Sequence, residues 1–225
     1  MINPLKITDY KRNEWDLQAF FFFAVAVQGK NSQQTARKVQ DLLDHISEMF
    51  VENPFYEKVT PETGVIHYLL GEQDEGSAGI NLLREFKFGK YNQWKKLIDW
   101  FKELKWYYLD KVGLSIGDWL SEASVEKLEW IPSVGKKTSR FFKLHSDPEV
   151  ECVPLDTHIL KYVRERYDAY GGGQGFRIPK TTPQSPYDYR SLERIALEYL
   201  KDYAVQNNLK TLAQADLAIW SSYAS

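Results

Sequence analysis

The chain has 225 residues and a formal net charge of −2 at neutral pH, with 43% apolar and 27% charged residues, a composition typical of soluble globular proteins. The length suffices for one domain or two closely associated subdomains. A single cysteine, Cys152, excludes an internal disulfide and any all-cysteine zinc or iron–sulfur site within the chain. No apolar run is long enough to cross a bilayer and no signal-peptide apolar region is present, so we expect a cytoplasmic protein without a membrane partner.

Charge is distributed unevenly along the chain. Residues 81–143 contain 13 Lys/Arg and 8 Asp/Glu, whereas residues 41–80 contain 1 and 9. We therefore expect a basic face and an acidic face, which suits docking of DNA on one side. A solvated run of charged residues has the same pattern, so both interpretations stay open.

Two helices are predicted in the N-terminal part. Residues 15–28 are strongly apolar and predict a helix that is buried on most sides, because the run is too long for a typical strand. Gly29 ends this helix, and Asn31 can cap the next one through its side-chain oxygen. The apolar residues of the second helix recur at helical spacing: Val39, Leu42, Leu43, Ile46 and Phe50.

Three further helices are predicted after Pro54 and Pro61, which we interpret as a crossing between subdomains. They cover residues 66–70, 80–88 and 91–108. In the last of them aromatic and basic residues alternate. We expect most of its aromatic residues in the core, and its exposed lysines are candidates for contacts with DNA phosphates. The predicted core stripe of this helix consists of Trp94, Leu97, Ile98, Phe101 and Leu104.

The sequence LEWIPSVGKKTSRFF predicts a helix, a tight turn and a second helix. Ser124 can cap a first helix that runs to about Ile131, because Pro132 then ends the run. The second helix starts at Lys136, and its first N–H groups point out of the turn. This concave, positively polarised turn suits a phosphate.

The second hairpin helix has two contrasting faces. Lys137, Phe141 and Leu144 recur at i, i+4 and i+7, so they share one face, which we expect to point inward. Burial and nearby cations lower the pKa of an amine and turn it into a nucleophile. The other face carries three cations that we expect to point outward to a nucleic-acid backbone: Lys136, Arg140 and Lys143.

The IPSVGKKT turn and the VPLDTHI element that follows closely resemble the helix-hairpin-helix DNA glycosylases of the endonuclease III and 8-oxoguanine glycosylase superfamily. The resemblance implies that Lys137 is a Schiff-base nucleophile and that Asp156 is the carboxylate that assists it, although an Asp at such a position is ordinarily a helix cap. Ser133 stands where the family usually has glycine, so a positive φ is less favourable there. The residues expected to contact the DNA backbone are Ser133, Val134, Gly135, Lys136, Thr138, Arg140 and Lys143.

Three helices are predicted in the C-terminal part, starting after Asp156, at Tyr189 and at Thr211. Thr211 and Gln214 have the spacing of a capping box. The loop YGGGQGFRIPKTTPQSP precedes the second of these helices. It is either a plain linker or a functional loop that carries cations to DNA.

Asp216 and Trp220 are four residues apart and share a face of the last helix. An Asp and a Trp at this spacing line the base pocket of the archaeal 8-oxoguanine glycosylases, so the pair resembles a base-reading device. A base flipped out of the duplex needs a stacking surface and a polar partner. The alternative is a core tryptophan beside a salt-bridged aspartate. Gln28 is a further candidate for the base pocket.

The resemblance implies an all-α fold with two helical subdomains and a DNA-binding cleft between them. We place residues 1–60 and 146–225 in the first subdomain and residues 61–145, with the hairpin, in the second. The implied enzyme is a DNA glycosylase with AP lyase activity in base excision repair. It acts as a monomer on double-stranded DNA that contains a modified base.

The excised base is expected to be 8-oxoguanine, because the missing cluster and the Asp216/Trp220 pair favour that branch of the superfamily. Two alternatives stay open: a glycosylase for another or hypermodified base, for example in phage defence, and a hairpin module that binds DNA without chemistry. No metal is needed for the reaction. A monovalent cation at the hairpin carbonyls would be structural.

Overall fold

The computed structural model describes residues 2–4, 6–52, 64–70, 77–169 and 177–223. Every regular element in these ranges is a helix, which confirms the predicted all-α class. None of these helices has both the length and the apolar composition that a membrane crossing requires. The contacts divide the chain into two compact units, Met1–Gly135 and Lys136–Ser225. The division falls inside the predicted hairpin. The predicted subdomain that combines residues 1–60 and 146–225 stays a prediction.

The described helices of the first unit include one short π-helical segment between two α-helices. They are α1 (Glu14–Ala26), α2 (Ser32–Glu52), α3 (Gly64–Leu70), α4 (Ser77–Glu85), α5 (Tyr91–Leu104), the π-segment (Lys105–Leu109), α6 (Asp110–Val112), α7 (Ile116–Glu122) and α8 (Val125–Leu128).

Helix α1 lies at the centre of the first unit and packs against α2, α3 and α7. Its residues from Leu17 to Ala26 are buried, as their apolar sequence predicts. Gln18 is the polar exception, and its side-chain oxygen accepts a hydrogen bond from the N–H of Ile66 at 3.0 Å. This bond makes the buried amide tolerable, because it replaces a lost bond to water.

The predicted boundary between α1 and α2 is confirmed. Gly29 has a φ of +66°, a left-handed value that glycine adopts without strain. Asn31 accepts a hydrogen bond from the N–H of Gln34 at 3.0 Å, so its side chain caps α2.

The predicted helix over residues 91–108 is wrong at its C-terminal end. Phe101 is buried, and an α-helix would turn Tyr108, seven residues later, to the same side. The wider π-segment places Leu109 in the core instead. Most aromatic residues of this helix were expected in the core, but three of them are exposed: Trp106, Tyr107 and Tyr108.

The first hairpin helix is shorter than predicted. Ser124 caps α8 by accepting from the N–H of Lys127 at 3.3 Å, as expected. The helix ends at Leu128, three residues before the predicted end. The chain then turns, with the N–H of Val134 bonded to the carbonyl of Ile131 at 3.0 Å.

The second unit contains α9 (Lys136–Ser146), α10 (Thr157–Ala169), α11 (Pro186–Gln206) and α12 (Leu212–Tyr223). Helices α10, α11 and α12 pack against one another, and α12 also contacts α9. The predicted cap of α12 is present, because Thr211 accepts from the N–H of Gln214 at 3.2 Å. Residues 170–176 of the predicted long loop lie outside the described residues.

Candidate functional site

Asp156 follows a short non-helical segment whose backbone is held by side chains of α11. The hydroxyl of Tyr189 accepts from the N–H of Leu155 at 3.0 Å and donates to the carbonyl of Val153 at 3.1 Å. Glu193, one turn later on α11, accepts from the N–H of Val153 at 3.0 Å. Tyr189, Val153 and Leu155 are buried, so these bonds replace bonds to water. The backbone that carries Asp156 therefore has little freedom.

Arg140 connects α9 to the same segment. Its Nε lies 2.6 Å from Oε1 of Glu193, and its guanidinium lies 4.5 Å from the ring centroid of Tyr189. Only 6% of the side chain is exposed. The expectation that Arg140 faces outward is therefore wrong. A carboxylate and an aromatic face compensate its charge, so it can be buried between two helices of this unit.

Lys143 is a second correction on the same predicted face. Its side chain is 4% exposed, and its Nζ lies 3.0 Å from Oδ2 of Asp147, which makes burial of the ammonium tolerable. Lys136, at the helix start, is partly exposed and donates to the carbonyl of Gln184 at 3.1 Å. Thr138 is buried. The roles of Lys136 and Thr138 in DNA contact stay predictions.

Asp156 caps α10 and faces Lys137 at the same time. Its Oδ1 accepts from the N–H groups of His158 and Ile159 at 2.9 and 2.8 Å. Its Oδ2 lies 3.8 Å from Nζ of Lys137. Because the two backbone bonds restrict rotation of the carboxylate, Oδ2 is held toward the amine. One side chain thus caps the helix and also faces the amine, so the capping alternative and the predicted role of Asp156 do not exclude each other.

Lys137 is more exposed than expected. Its side chain is 46% exposed, against 13% for Asp156, so the predicted inward position is wrong. Lys137 is the second residue of α9, and a helix terminus offers fewer neighbours than a helix interior. Leu144, two turns later on the predicted face, is buried. The amine is consequently accessible to a substrate.

A buried pair, His145 and Asp216, lies near Lys137 and Asp156. Nε2 of His145 lies 3.2 Å from Oδ2 of Asp216, and neither side chain is more than 7% exposed. Burial raises the pKa of Asp216, and the charge of Asp156 raises it further, whereas the hydrogen bond from His145 and the charge of Lys137 lower it. These influences place all four ionisable groups in one electrostatic neighbourhood.

Trp220 lies on the same face of α12 as Asp216. Its ring contacts that of His158, with the centroids 5.9 Å apart and an edge-to-face angle of 78°. His158 in turn donates its backbone N–H to Asp156. Trp220 is only partly buried, so part of its ring is available for stacking. Asp216 is paired with His145, as the alternative interpretation expects, so the role of the Asp216/Trp220 pair in reading a base stays a prediction.

Gln28 and Ser133, which belong to the first unit, bind each other. The side-chain N–H of Gln28 donates to the carbonyl of Ser133 at 2.8 Å. Ser133 has a φ of +71°, the left-handed conformation that we considered less favourable for serine. The hydrogen bond to its carbonyl helps to hold the turn in this conformation. The role of Gln28 in a base pocket stays a prediction.

Cys152 is not suited to nucleophilic chemistry. Burial raises the pKa of its thiol to about 12, so the thiolate is rare at neutral pH. The thiol donates to the carbonyl of Arg140 at 3.4 Å. Among the described residues, no three His, Cys, Asp or Glu side chains are grouped as metal ligands would be.

Sequence reasoning missed three residues of this neighbourhood: His145, Tyr189 and Glu193. A signal existed for His145, since it lies eight residues after Lys137 and four after Phe141, and it therefore continues their helical face. No local pattern marks Tyr189 or Glu193. Their partners are backbone groups more than thirty positions away in the chain.

Comparisons of the chain with protein-family models, with curated proteins and with solved structures find no match. The chemistry is therefore inferred from the geometry above and from the resemblance carried by the hairpin and the VPLDTHI element.

Proposed function

We propose that the protein is a DNA glycosylase with AP lyase activity that excises a modified base, 8-oxoguanine first among the candidates. The observation that carries the proposal is the pairing of an accessible amine with an oriented carboxylate, Lys137 Nζ and Asp156 Oδ2, 3.8 Å apart. The buried Asp216 and the half-buried Trp220 beside them supply the two kinds of group that a flipped base requires.

The chemistry needs a nucleophile and a negative charge near the sugar. Breaking the N-glycosidic bond leaves positive charge on the sugar and negative charge on the base, and Asp156 stabilises the positive side. Lys137 passes a proton to Asp156, and its nitrogen then bonds to C1′ while Asp156 releases that proton toward the departing base and is again an anion beside the sugar. The electron pair of the glycosidic bond leaves with the base, which takes up a proton.

The same intermediate explains strand cleavage. The nitrogen of Lys137, now bonded to C1′, gives up a proton and O4′ takes one up, so the C1′–O4′ bond breaks, the sugar ring opens and the nitrogen becomes part of an iminium. The iminium acidifies the C2′ proton. Loss of that proton lets the 3′ phosphate leave by β-elimination, with the bonding electrons going to the phosphate oxygen.

Base recognition rests on Asp216 and Trp220. Trp220 offers a stacking surface, and Asp216 offers oxygens whose orientation is restricted by His145. Burial raises the pKa of Asp216. In its ionised form Asp216 accepts a hydrogen bond from a base edge, and in its protonated form it can donate one.

The proposal includes fewer DNA contacts at the hairpin than the sequence predicts. A helix-hairpin-helix motif, with a DNA cleft between two helical subdomains, would bring the phosphate backbone to Gly135 and Lys136. Arg140 and Lys143 are left out of direct phosphate contact, because Glu193 and Asp147 pair with their charges.

Borohydride trapping on a duplex with a single 8-oxoguanine tests the proposal. We expect a covalent adduct with the native protein and with Lys210→Gln, which changes an exposed lysine of the same unit. The adduct should vanish with Lys137→Gln and form about 100-fold more slowly with Asp156→Asn.

The outcomes separate the alternatives. Trapping on an abasic duplex but not on the 8-oxoguanine duplex would retain the lyase and move the substrate to another or hypermodified base. A native protein that binds both duplexes and is trapped on neither would refute the lyase. If it also released no base, it would be a binding module.

A further inference from the structure

Four lysines surround the loop between α4 and α5 in the first unit. Lys87 and Lys90 belong to the loop itself, whereas Lys30 follows α1 and Lys38 lies on α2. All four side chains are exposed. This lysine cluster lies in a different unit from Lys137 and takes no part in the chemistry proposed above.

The loop has an unusual backbone for its sequence. The N–H of Phe88 bonds to the carbonyl of Leu83 and that of Lys87 to the carbonyl of Arg84, a pattern that ordinarily places glycine at the left-handed position after a helix. Here Lys87 holds that position with a φ of +56°, and Lys90 has a φ of +51°. Lysines thus stand at two positions where glycine would be less strained.

Two further lysines are held against this loop by hydrogen bonds. Nζ of Lys30 donates to the carbonyl of Phe88 at 3.0 Å, and Nζ of Lys38 donates to the carbonyl of Lys87 at 3.2 Å. Each ammonium has three N–H groups, so donors remain for another acceptor. The bonds restrict two otherwise flexible side chains at neighbouring points of the loop.

The charges of this cluster are uncompensated within the described residues, where none of the four lysines pairs with a carboxylate. Burial lowers the pKa of Lys30, and the positive charges of Lys90 and Lys38 lower it further. Three ammonium groups therefore repel one another at short range. An anion bound among them would relieve this repulsion.

The surroundings indicate the kind of anion. Lys30 and Lys90 line one narrow pocket with Gln28, Gln93, Trp94 and Ser133. The start of α5 has no side-chain cap, and the N–H groups of Gln93 and Trp94 bond to the carbonyl of Lys90. The donors that remain around this small opening are ammonium and amide groups, which suit the oxygens of a phosphate.

We propose that Lys30, Lys38 and Lys90 form a second nucleic-acid contact, which binds one phosphate of the DNA backbone. The assignment of the phosphate to DNA rests on the proposed function. The site would anchor undamaged and damaged duplexes alike, since a backbone phosphate carries no sequence or damage information.

Salt-dependent binding of an undamaged duplex tests the site. We expect the Lys30→Gln/Lys38→Gln/Lys90→Gln variant to bind more weakly, and its slope of log K against log salt to be smaller by about 0.9, the value for one phosphate. Lys11→Gln, an exposed lysine of the same unit, should leave both unchanged. Lys90→Gly provides a folding control: glycine relieves the positive φ, so this variant should be at least as stable as the native protein and still bind DNA more weakly.

Two further arms make the result decisive. An unchanged slope in the triple variant would overturn the site, and so would protection of Lys30 from an amine-reactive reagent by inorganic phosphate but not by duplex. Borohydride trapping on abasic DNA is run in parallel at low salt. A smaller slope in the triple variant, with no trapping of the native protein, would retain the site and overturn the lyase. Trapping of the native protein, with an unchanged slope in the triple variant, would retain the lyase and overturn the site.

Discussion

Tyr189→Phe tests whether the segment before Asp156 is held as tightly as its hydrogen bonds indicate. Tyr189 is fully buried, and its hydroxyl bonds to the N–H of Leu155 and the carbonyl of Val153. The substitution removes one oxygen and keeps the ring that packs under Arg140. It therefore probes the two hydrogen bonds with little change in packing.

The expected loss of stability is about 2 to 3 kcal/mol. A buried N–H without an acceptor costs about 1 to 3 kcal/mol, and losing the bond to the carbonyl of Val153 adds roughly 1 kcal/mol. Part of this cost is recovered, because phenylalanine leaves no hydroxyl to desolvate. Thr182 still donates to the carbonyl of Leu155 at 2.6 Å, so the segment should loosen rather than detach.

Urea unfolding followed by circular dichroism measures the free energy, and amide hydrogen exchange at Leu155 reports the local opening. Tyr187→Phe is the matched control, since Tyr187 lies on the same helix but is 79% exposed, and its effect should stay within about 0.5 kcal/mol. The trapping rate should fall in Tyr189→Phe and not in the control, because Asp156 loses its fixed backbone. Equal stability and equal exchange at Leu155 in Tyr189→Phe and native protein would refute this reasoning.

Three further predictions concern other parts of the chain. Burial raises the pKa of Asp216 above its ordinary 3.8, so the stability that this group contributes is full below pH 3.8 and is lost as the pH rises through the raised pKa. In urea titrations at several pH values, Asp216→Asn should therefore gain stability relative to the native protein as the pH rises through this window, and a gain independent of pH would contradict the raised pKa. Cys152 should react with a thiol reagent at neutral pH only after unfolding, since burial raises its pKa to about 12, and rapid modification of the native protein would show that the thiol is accessible. Ser133→Gly should raise the free energy of unfolding by about 1 kcal/mol because φ is +71°, whereas Ser124→Ala should lower it by a similar amount through loss of the α8 cap. Urea unfolding measures both changes, and changes of the same sign in the two variants would contradict the hairpin geometry.

Predictions from local patterns succeeded where one short stretch of sequence determines the result. The caps at Asn31, Ser124 and Thr211 are present, because a side-chain oxygen needs only an N–H two or three residues later. The apolar run of α1 predicts burial on most sides, and the residues of α1 from Leu17 to Ala26 are buried. The family resemblance, not a local pattern, paired Lys137 with Asp156; their side chains lie 3.8 Å apart, and their catalytic roles stay a prediction.

The errors arose where periodicity was extended to residues whose surroundings come from elsewhere in the chain. The stripe of α5 fails after Phe101, since the π-segment changes the number of residues per turn. Helical spacing placed Arg140 on an outer face, but Glu193 and Tyr189, more than forty positions later, bury it. A helical wheel defines faces without stating what packs against them.

The sequence by itself therefore determined the all-α class, the main helices and their caps, because helix periodicity and capping act over a few residues. The pairing of Lys137 with Asp156 was expected from the family resemblance alone. Only the tertiary structure decided which charges are buried, which carboxylate oxygen faces the amine, and that His145 joins Asp216. These properties depend on side chains that are distant along the chain and meet only when the helices pack, since burial and pairing of charge are set by the assembled surroundings.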